Sequence, residues 1–313
     1  MSAYFIISFD CEGKWGVADH LTDHHRQYFT NQNLINTYTR ILNLLEKYEI
    51  PATFAFVGAF TLSVEEYYCH QDRFRAPSVN GIDWLVNFKK EVNAKNFDGW
   101  FVPKCLELVE QHYIHEIASH GFTHLPLDEK SITQNAFLNE MALIKDLTRY
   151  GKNSDLTLVY PRNQIGYVDE LKNFGFIGYR NDLDHKQNTP FNALRRLSRE
   201  FNIFSPKSDP HIQQTELPIR IPSGHFLNWR YGVRKKIPPQ ITVTRWKNML
   251  EHAIKNNDVV HLWSHPHNFI DGKDMFSLFE NILKNVAYEI KNQRLKAVTQ
   301  RNYCQLFKKN ALY

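Results

Sequence analysis

Two carboxylates lie close together near the amino terminus, at the end of an apolar run. Asp10 and Glu12 fall within the segment Ser8–Gly13 (SFDCEG). Side chains alternate between the two faces of a strand, so these two acids project to the same side. Such a pair can divide the work of a hydrolytic site, because one acid can bind a metal ion while the other accepts a proton.

A pair of histidines follows later in the chain, in the segment HGFTH. His120 and His124 are four residues apart, which places both imidazoles on one side of a helix or tight turn. Two imidazoles and one carboxylate leave a coordination position open for water, which is the arrangement of a catalytic zinc site. The chain contains 15 histidines, so chance is an alternative explanation of this spacing. The alternative is that Asp10 caps a turn and that both histidines lie on the surface.

Three apolar segments have the character of buried strands that run into polar loops. They are Leu156–Asn163 (LTLVYPRN), Leu217–Gly224 (LPIRIPSG) and Val259–His267 (VVHLWSHPH). The carboxyl ends of parallel strands meet at one face of a barrel. We therefore expect these loops and the two acids of the first strand to lie at one mouth.

The order of these segments resembles the polysaccharide deacetylases of the NodB-homology type, the group called carbohydrate esterase family four. In that family an Asp-bearing first strand, an H-x-x-x-H segment, an Arg-bearing strand end and a late strand ending in His occur in the same order. The resemblance extends from the first strand to the His265 segment. It implies an α/β fold, a distorted (β/α) barrel of the NodB-homology type.

The resemblance also implies how the metal site is divided. The expected ligands of a divalent metal, for which we expect zinc, are Glu12, His120 and His124. The commonest family pattern is two adjacent aspartates, whereas here Cys11 occupies the second place. Branches with acid-x-acid spacing match better, so we assign the general base to Asp10 and expect Cys11 to pack on the opposite face. One relative in the family acts on a cyclic ureide without metal.

Two further residues complete the chemistry that the resemblance implies. Arg162, just past a strand end, would hold Asp10 ionised, because a nearby cation favours the carboxylate form. The alternative is that Arg162 forms a structural salt bridge. The acid that protonates the leaving amine could be His261, His265 or His267, which share a strand face, and we choose His265 because it lies directly before a proline, where the family's acid histidine would lie. His261 lies inside the apolar run, and we expect it to be a core residue with its polar atoms satisfied.

Substrate contacts are predicted from three residues of the same loops. They are Tyr160 beside the predicted arginine, His267 on the strand face of the predicted acid, and Trp229, which could stack on a sugar ring or pack at the barrel mouth. The densest basic cluster is 230–236 (RYGVRKK). This cluster is either a solvated loop or a site that attracts an anionic group. The anionic group would be part of the substrate, such as a sugar-linked diphosphate, or an anionic membrane surface.

Composition indicates one enzyme domain over residues 1–313. Hydrophobic residues make up 42% of the chain and charged residues 23%, which is ordinary for a globular protein. An aromatic-rich stretch at about 65–99 has no clear period, and we predict an insertion over the barrel mouth. The net charge of +5 comes from dispersed basic residues without a reading motif, so nucleic acid is not an expected partner.

Localisation is predicted to be cytoplasmic. The chain contains no apolar run of about 18 residues, so stable membrane insertion is not expected. A cleaved signal peptide would remove the first strand and with it Asp10. The four cysteines are widely spaced and do not suggest a disulfide framework.

Strands are predicted to alternate with helices, which favours a mostly parallel sheet or barrel. Besides the three apolar segments, the predicted strands are 3–9, 52–57, 115–119 and 176–179. The predicted helices are 33–48, 105–111, 131–150, 167–174, 244–256 and 275–293. Residues 184–216 are predicted to form a loop.

The sequence thus predicts a metal-dependent hydrolase that removes an N-acyl group, most simply acetyl, from an amino sugar. A nucleotide-linked or lipid-linked precursor of a surface polysaccharide would suit a cytoplasmic enzyme. One alternative is a C–N hydrolase of a small cyclic or formylated amide. The other is a carbohydrate-binding relative without catalysis.

Overall fold

The protein was analysed as a computed structural model, which describes residues 2–181, 207–212, 214 and 216–310. Most of the segment 184–216, predicted as a loop, lies outside these residues.

A single large parallel sheet forms the centre of the structure. The strands are β1 Tyr4–Cys11, β2 Thr53–Phe56, β5 Glu116–Ser119, β6 Leu156–Leu158, β7 Phe176–Arg180, β8 Ile219–Ile221, β9 His225–Phe226, β10 Val259–Ser264 and β11 Lys296–Val298. Their order in the sheet is β8-β7-β6-β5-β2-β1-β10-β9, and β11 pairs with the first half of β1. A separate hairpin consists of β3 Ser78–Val79 and β4 Ile82–Asp83.

The sheet curls into a distorted barrel. Its two edge strands, β8 and β9, are consecutive in the chain and are joined by 222–224 alone. Four Cα steps, from Ile221 to His225, span at most about 14 Å. The edges of the sheet are therefore held near each other, and residues on facing strands can meet inside.

Helices cover the outside of the sheet. They are α1 Asp23–Tyr28, α2 Asn31–Lys47, α3 Val64–His70, α4 Val86–Asn93, α5 Pro103–Glu110, α6 Gln134–Leu147, α7 Pro239–Asn256, α8 Asn268–Asp271, α9 Met275–Lys291 and α10 Gln300–Asn310. In α2, Thr30 caps the amino terminus by accepting from the backbone N–H of Asn33, and the buried face repeats at helical spacing through Leu34, Tyr38 and Ile41.

The predicted insertion, 65–99, contains most of α3, the β3–β4 hairpin and α4. Its aromatic side chains join the main core: Phe88 packs on Trp15 with ring centroids 4.7 Å apart. Trp84 donates from Nε1 to the carbonyl of Thr123 at 3.1 Å. The segment therefore contacts the loop that carries the histidine pair.

Some element predictions differ from the structure. The segment 167–174 is a 3₁₀ helix, Val168–Phe174. Helix α7 begins at Pro239, earlier than the predicted 244, because a proline is accommodated in the first helical turn. Strand β11 and helix α10 were not predicted. Among the described residues, we find no helix that is long and apolar enough to cross a membrane.

Candidate active site

The polar residues of the site gather at the carboxyl ends of the strands, as the barrel geometry requires. Asp10 lies at the end of β1 and Glu12 just beyond it. His120 directly follows β5, Arg180 is the last residue of β7, and His265 directly follows β10. Residues distant in the sequence are thereby brought to one mouth.

Glu12, His120 and His124 form a compact buried group with the composition of a metal site. Glu12 Oε1 lies 3.1 Å from His120 Nε2 and 3.2 Å from His124 Nε2. Four ligands at about 2.0–2.1 Å from a tetrahedral zinc ion are about 3.3 Å apart, which is close to this spacing. The sequence prediction that these three residues converge agrees with the geometry.

The two histidines are held in different ways. His120 Nδ1 lies 2.7 Å from the carbonyl of Val159 and donates to it, so Nε2 is left as the free donor atom for a metal. Both ring nitrogens of His124 are buried without a hydrogen-bond partner among the described residues, although Nε2 lies close to Glu12. Burial holds the pKa of His124 below its ordinary value, against the opposing effect of Glu12. A neutral imidazole with an unused lone pair fits a metal ligand.

A buried carboxylate on α6 fixes the loop that carries the pair. Glu140 accepts from the backbone N–H groups of Phe122 and Thr123 at 2.9 and 3.0 Å, and from the Thr123 hydroxyl at 2.7 Å. The loop is a tight turn, with a positive φ of +75° at Gly121 and +59° at His124. The ligand spacing therefore depends on α6 as well as on the loop itself.

Glu12 is seated by the turn that follows β1. A Cβ on Gly16 would collide with Glu12 Oε2, so the glycine leaves the space that the carboxylate occupies. Burial raises the pKa of Glu12, but the imidazoles of His265 and His124 outweigh burial and hold that pKa well below its ordinary value. Glu12 is accordingly an anion, as a ligand must be.

Asp10 is paired with Arg180. Arg180 Nη1 donates to Asp10 Oδ1 and Nη2 to Oδ2, each at 2.7 Å. Burial raises the pKa of Asp10, but the Arg180 guanidinium outweighs burial and leaves the pKa below its ordinary value. Asp10 is therefore ionised and held through both oxygens.

The prediction that Arg162 orients Asp10 is wrong. Arg162 Nη2 instead donates to Asp19 Oδ1 at 2.6 Å, and its guanidinium lies 4.7 Å from the centroid of the Trp84 ring. Residue 162 lies within the short 3₁₀ turn Pro161–Asn163 after β6, with φ +58°, and its side chain is partly exposed. The arginine that reaches Asp10 comes from inside the barrel, on the facing strand β7.

His265 lies beside both acids. Its Nε2 is 3.4 Å from Glu12 Oε1 and 3.9 Å from Asp10 Oδ2. Burial lowers the pKa of His265, but Glu12 and then Asp10 outweigh burial and raise it above the ordinary value. The imidazole is thus poised to carry a proton, as an acid requires. Asp10, Glu12 and His265 also form a second group whose atoms could share a metal. The position of His265 is therefore compatible with the role of acid and with that of metal ligand.

The predicted substrate contacts have three different outcomes. Tyr160 does not fit the role, because it is fully buried and donates its hydroxyl to the carbonyl of Gly166 at 2.7 Å. His267 stacks on His265 with ring centroids 5.0 Å apart, and burial lowers its pKa to about 3. Trp229 is partly buried at the mouth, stacked on Tyr231 at 4.5 Å.

The residues that we expected to be structural do pack in the interior. Cys11 is fully buried, with its Sγ 3.4 Å from the carbonyl of Phe9, so it faces away from the acids. His261 is fully buried, with partners at both nitrogens: Ser8 at Nε2 and the Pro222 carbonyl at Nδ1. Both agree with the sequence predictions.

Comparisons with known proteins show similarity to polysaccharide deacetylases. Residues 27–163 match the family described as Polysaccharide deacetylase. A protein from Mycobacterium smegmatis is 12% identical with a TM-score of 0.56, over 99% of this chain and 92% of its own. A protein from Pseudomonas aeruginosa PAO1 is 11% identical with a TM-score of 0.51, over 99% of this chain and 91% of its own. Both are named provisionally as polysaccharide deacetylases.

The predicted resemblance to the polysaccharide deacetylase family, with its NodB-type barrel, is thereby confirmed. No curated protein matches the sequence. The matched segment includes the two histidines of the metal group. The acids of β1, Arg180 and His265 lie outside it, and the three-dimensional structure alone brings them to the histidine pair.

Two important residues were missed by sequence reasoning. Arg180 directly follows the predicted strand 176–179, and a charged residue at the end of a barrel strand is a usable signal. Glu140 lies within a helix that otherwise presents apolar residues inward, beside Phe137 and Met141. A lone acid on the buried face of a helix indicates a partner elsewhere in the fold.

Proposed function

We propose that the protein is a metal-dependent hydrolase that removes an N-acyl group, most simply acetyl, from an amino sugar. The observation that carries the proposal is the adjacency of two groups within one buried mouth. The group Glu12–His120–His124 suits a divalent ion, and the Asp10–Arg180 pair provides an oriented base beside it.

Each residue has a separate task in the proposed reaction. Glu12, His120 and His124 would hold a divalent metal, for which zinc suits the donor set, and the bound ion would supply Lewis acidity and a more acidic water. Asp10 accepts the proton of the attacking water. Arg180 keeps Asp10 ionised and aimed during this step. His265 gives a proton to the departing amine nitrogen, which otherwise leaves too slowly.

The acid assignment to His265 is supported by its charge environment. Two carboxylates face its Nε2, and their combined effect raises its pKa despite burial. His267 stacks against the ring and is itself stacked on Phe29 at 4.5 Å, so the imidazole plane is fixed from one side. A fixed, protonated imidazole is suited to deliver a proton to one position.

The rim supports a sugar as substrate. Trp229 and Tyr231 form a stacked aromatic pair, and His24 lies 5.0 Å from the Tyr231 ring. Tyr231 is 42% exposed, and we propose that the free part of this aromatic pair contacts the apolar face of a sugar ring. Lys235 lies 4.8 Å from the same tyrosine ring, within a cluster of positive charge that would favour an anionic handle. We propose a nucleotide-linked or lipid-linked amino sugar, processed in the cytoplasm.

The test is a deacylation assay with purified, zinc-loaded protein. A panel of N-acetylated sugars, both free and diphosphate-linked, is incubated with wild type and with Asp10→Asn, and released acetate is measured. Turnover by wild type that falls by roughly 10²–10⁴-fold in Asp10→Asn would support the proposal. Release of formate or of a ureide product, with no acetate from any sugar, would replace it with a small-amide hydrolase.

A further inference from the structure

A line of buried polar groups lies beneath the base, across the barrel interior from β10 to β7. His261 Nδ1 lies 2.7 Å from the carbonyl of Pro222. A carbonyl can only accept, so Nδ1 carries the proton and Nε2 is left as an acceptor. Ser8 Oγ lies 2.8 Å from this Nε2, and its hydroxyl therefore donates to the ring. Ser8 then offers its lone pairs to Arg180, whose Nη1 donates at 3.3 Å.

The direction of each hydrogen bond in this line is fixed by its neighbour. The line starts at a carbonyl that accepts and ends at a guanidinium that donates to Asp10. Ser8 and His261 are fully buried, so water does not supply substitute partners. A Cβ at Gly224 would collide with the His261 backbone oxygen, so the backbone at Gly224 packs closely against His261. The pKa of His261 is lowered by burial, and then by Arg180, to about 3.

The guanidinium of Arg180 is also confined on its other sides. Its Nη2 donates to Asn163 Oδ1 at 2.9 Å, and its Cζ lies 4.4 Å from the centroid of the Trp263 ring. Ser8 contacts the other terminal nitrogen, Nη1, whereas Nε is buried without a hydrogen-bond partner among the described residues. A long side chain that must present two parallel donors to one carboxylate needs contacts of this kind, because its free rotamers are numerous.

We propose that Ser8 and His261 are positioning residues for the reaction. Neutral His261 orients the Ser8 hydroxyl, and Ser8 orients Arg180 so that both Nη atoms hold the two oxygens of Asp10. This inference rests on the proposed function of Asp10 as base. Both residues lie within apolar strands, for which the sequence predicts a structural role.

A double-mutant cycle tests whether Ser8 acts through Arg180. Ser8→Ala should lower kcat for N-acetyl sugar hydrolysis by about ten-fold to 100-fold, the range for a hydrogen bond to a charged group, with KM and bound zinc unchanged. In an Arg180→Gln background the same change should lower kcat by less than about two-fold, because the residue it serves is absent. The matched control is Ser264→Ala, which removes a buried hydroxyl of β10 that donates to the Leu227 carbonyl.

Conservative replacement at His261 provides a second comparison. His261→Gln keeps a neutral acceptor on an uncharged side chain and should retain much of kcat, whereas His261→Leu should resemble Ser8→Ala. If His261→Leu does not fold, the serine cycle still decides the question. Equal loss of kcat from Ser8→Ala in both backgrounds would overturn the proposal.

A spectroscopic measurement keeps this inference separate from the proposed function. In protein labelled with ¹⁵N-arginine, the Nη signals of Arg180 are assigned by their absence in Arg180→Gln. They should be separate in wild type and should merge in Ser8→Ala, because the guanidinium group then rotates faster. Unchanged Nη signals in Ser8→Ala would contradict the positioning role. Wild-type protein with resolved signals but no activity on any N-acyl sugar would count against the proposed function alone.

Discussion

At the scale of single residues, the site depends on which arginine faces the base. Arg180 holds both oxygens of Asp10 from inside the barrel, whereas Arg162 pairs with Asp19 at the rim. The segment YPRN suggested Arg162, since an arginine just past a strand end is normally near the mouth. The local sequence does not express the positive φ of residue 162, and it does not show that Arg180 on the facing strand β7 reaches Asp10.

The two arginines can be separated by matched substitutions. Arg180→Gln should reduce kcat by roughly 10²-fold, because Asp10 loses the charge that keeps it ionised and aligned. Arg162→Gln removes a partly exposed ion pair and should change kcat by less than about five-fold. Steady-state kinetics on an N-acetyl sugar measure both. A larger loss from Arg162→Gln than from Arg180→Gln would restore the assignment made from the sequence.

The role of His265 is tested by the leaving group. An activated aryl ester departs as a weakly basic phenolate and needs less help from a proton donor than an amine does. His265→Ala should therefore depress amide hydrolysis by roughly 10²–10⁴-fold and spare cleavage of an aryl acetate, with bound zinc unchanged. Equal losses on both substrates, together with loss of zinc, would show that His265 is a ligand instead of the acid.

At the scale of elements, much of the barrel was predictable from hydrophobic pattern. Strands β1, β2 and β10 and helices α2 and α9 lie within a few residues of their predicted positions, because each has a clear period or an apolar run. The insertion lacked such a period, since its aromatic residues pack on one another around Phe88 and Trp15 instead of along one face. Its elements therefore depend on tertiary contacts that the local sequence does not express.

We predict that Glu140 of helix α6 stabilises the loop that carries His120 and His124. Glu140→Ala leaves three buried donors of the loop without their acceptor, at a cost on the order of 1–3 kcal/mol for each one that water cannot reach. We expect lower stability in urea and a loss of zinc affinity of about 10–100-fold, the usual effect of losing an outer partner of a metal site. The measurements are urea unfolding and zinc competition with a chelator.

The matched control for this prediction lies on the same helix. Asp146 is 54% exposed in its side chain and pairs with Arg73 at the surface, so Asp146→Ala should alter stability by less than about 1 kcal/mol and leave zinc affinity unchanged. Zinc affinity that is equal in the two variants would show that the loop holds its shape without α6.

At the scale of the whole molecule, some imidazoles have pKa values well below the ordinary value and are neutral near pH 7. The pKa of His115 is lowered by burial to about 4, and its Nδ1 accepts from the backbone N–H of Ala52 at 3.2 Å. The pKa of His261 is lowered further, to about 3. Between pH 6.5 and 4 the unfolded chain gains protons at these positions that the folded chain does not, so folding stability falls as pH falls.

This linkage predicts how one variant should respond to pH. In metal-free protein, His115→Gln removes a titrating group whose stabilising effect is fully present above pH 6.5 and is lost as pH falls toward 4. The free energies of unfolding of wild type and His115→Gln should therefore converge from pH 7 to pH 4, as measured by urea titration at each pH. This pH range lies above the range in which Asp10 and Glu12 affect stability, because their lowered pKa values make stability depend on pH only below about pH 4. A difference that stays constant over this range would contradict the assignment.

The central claim for the molecule is that the buried group at the mouth binds one divalent metal beside a separate base. Its most direct test is elemental analysis of zinc-loaded, desalted protein. We predict about one zinc per chain in wild type and in Asp10→Asn, and loss of that zinc in the double variant His120→Ala/His124→Ala, with circular dichroism confirming that each variant is folded. Stoichiometric zinc retained by the folded double variant, or lost from Asp10→Asn, would contradict the account.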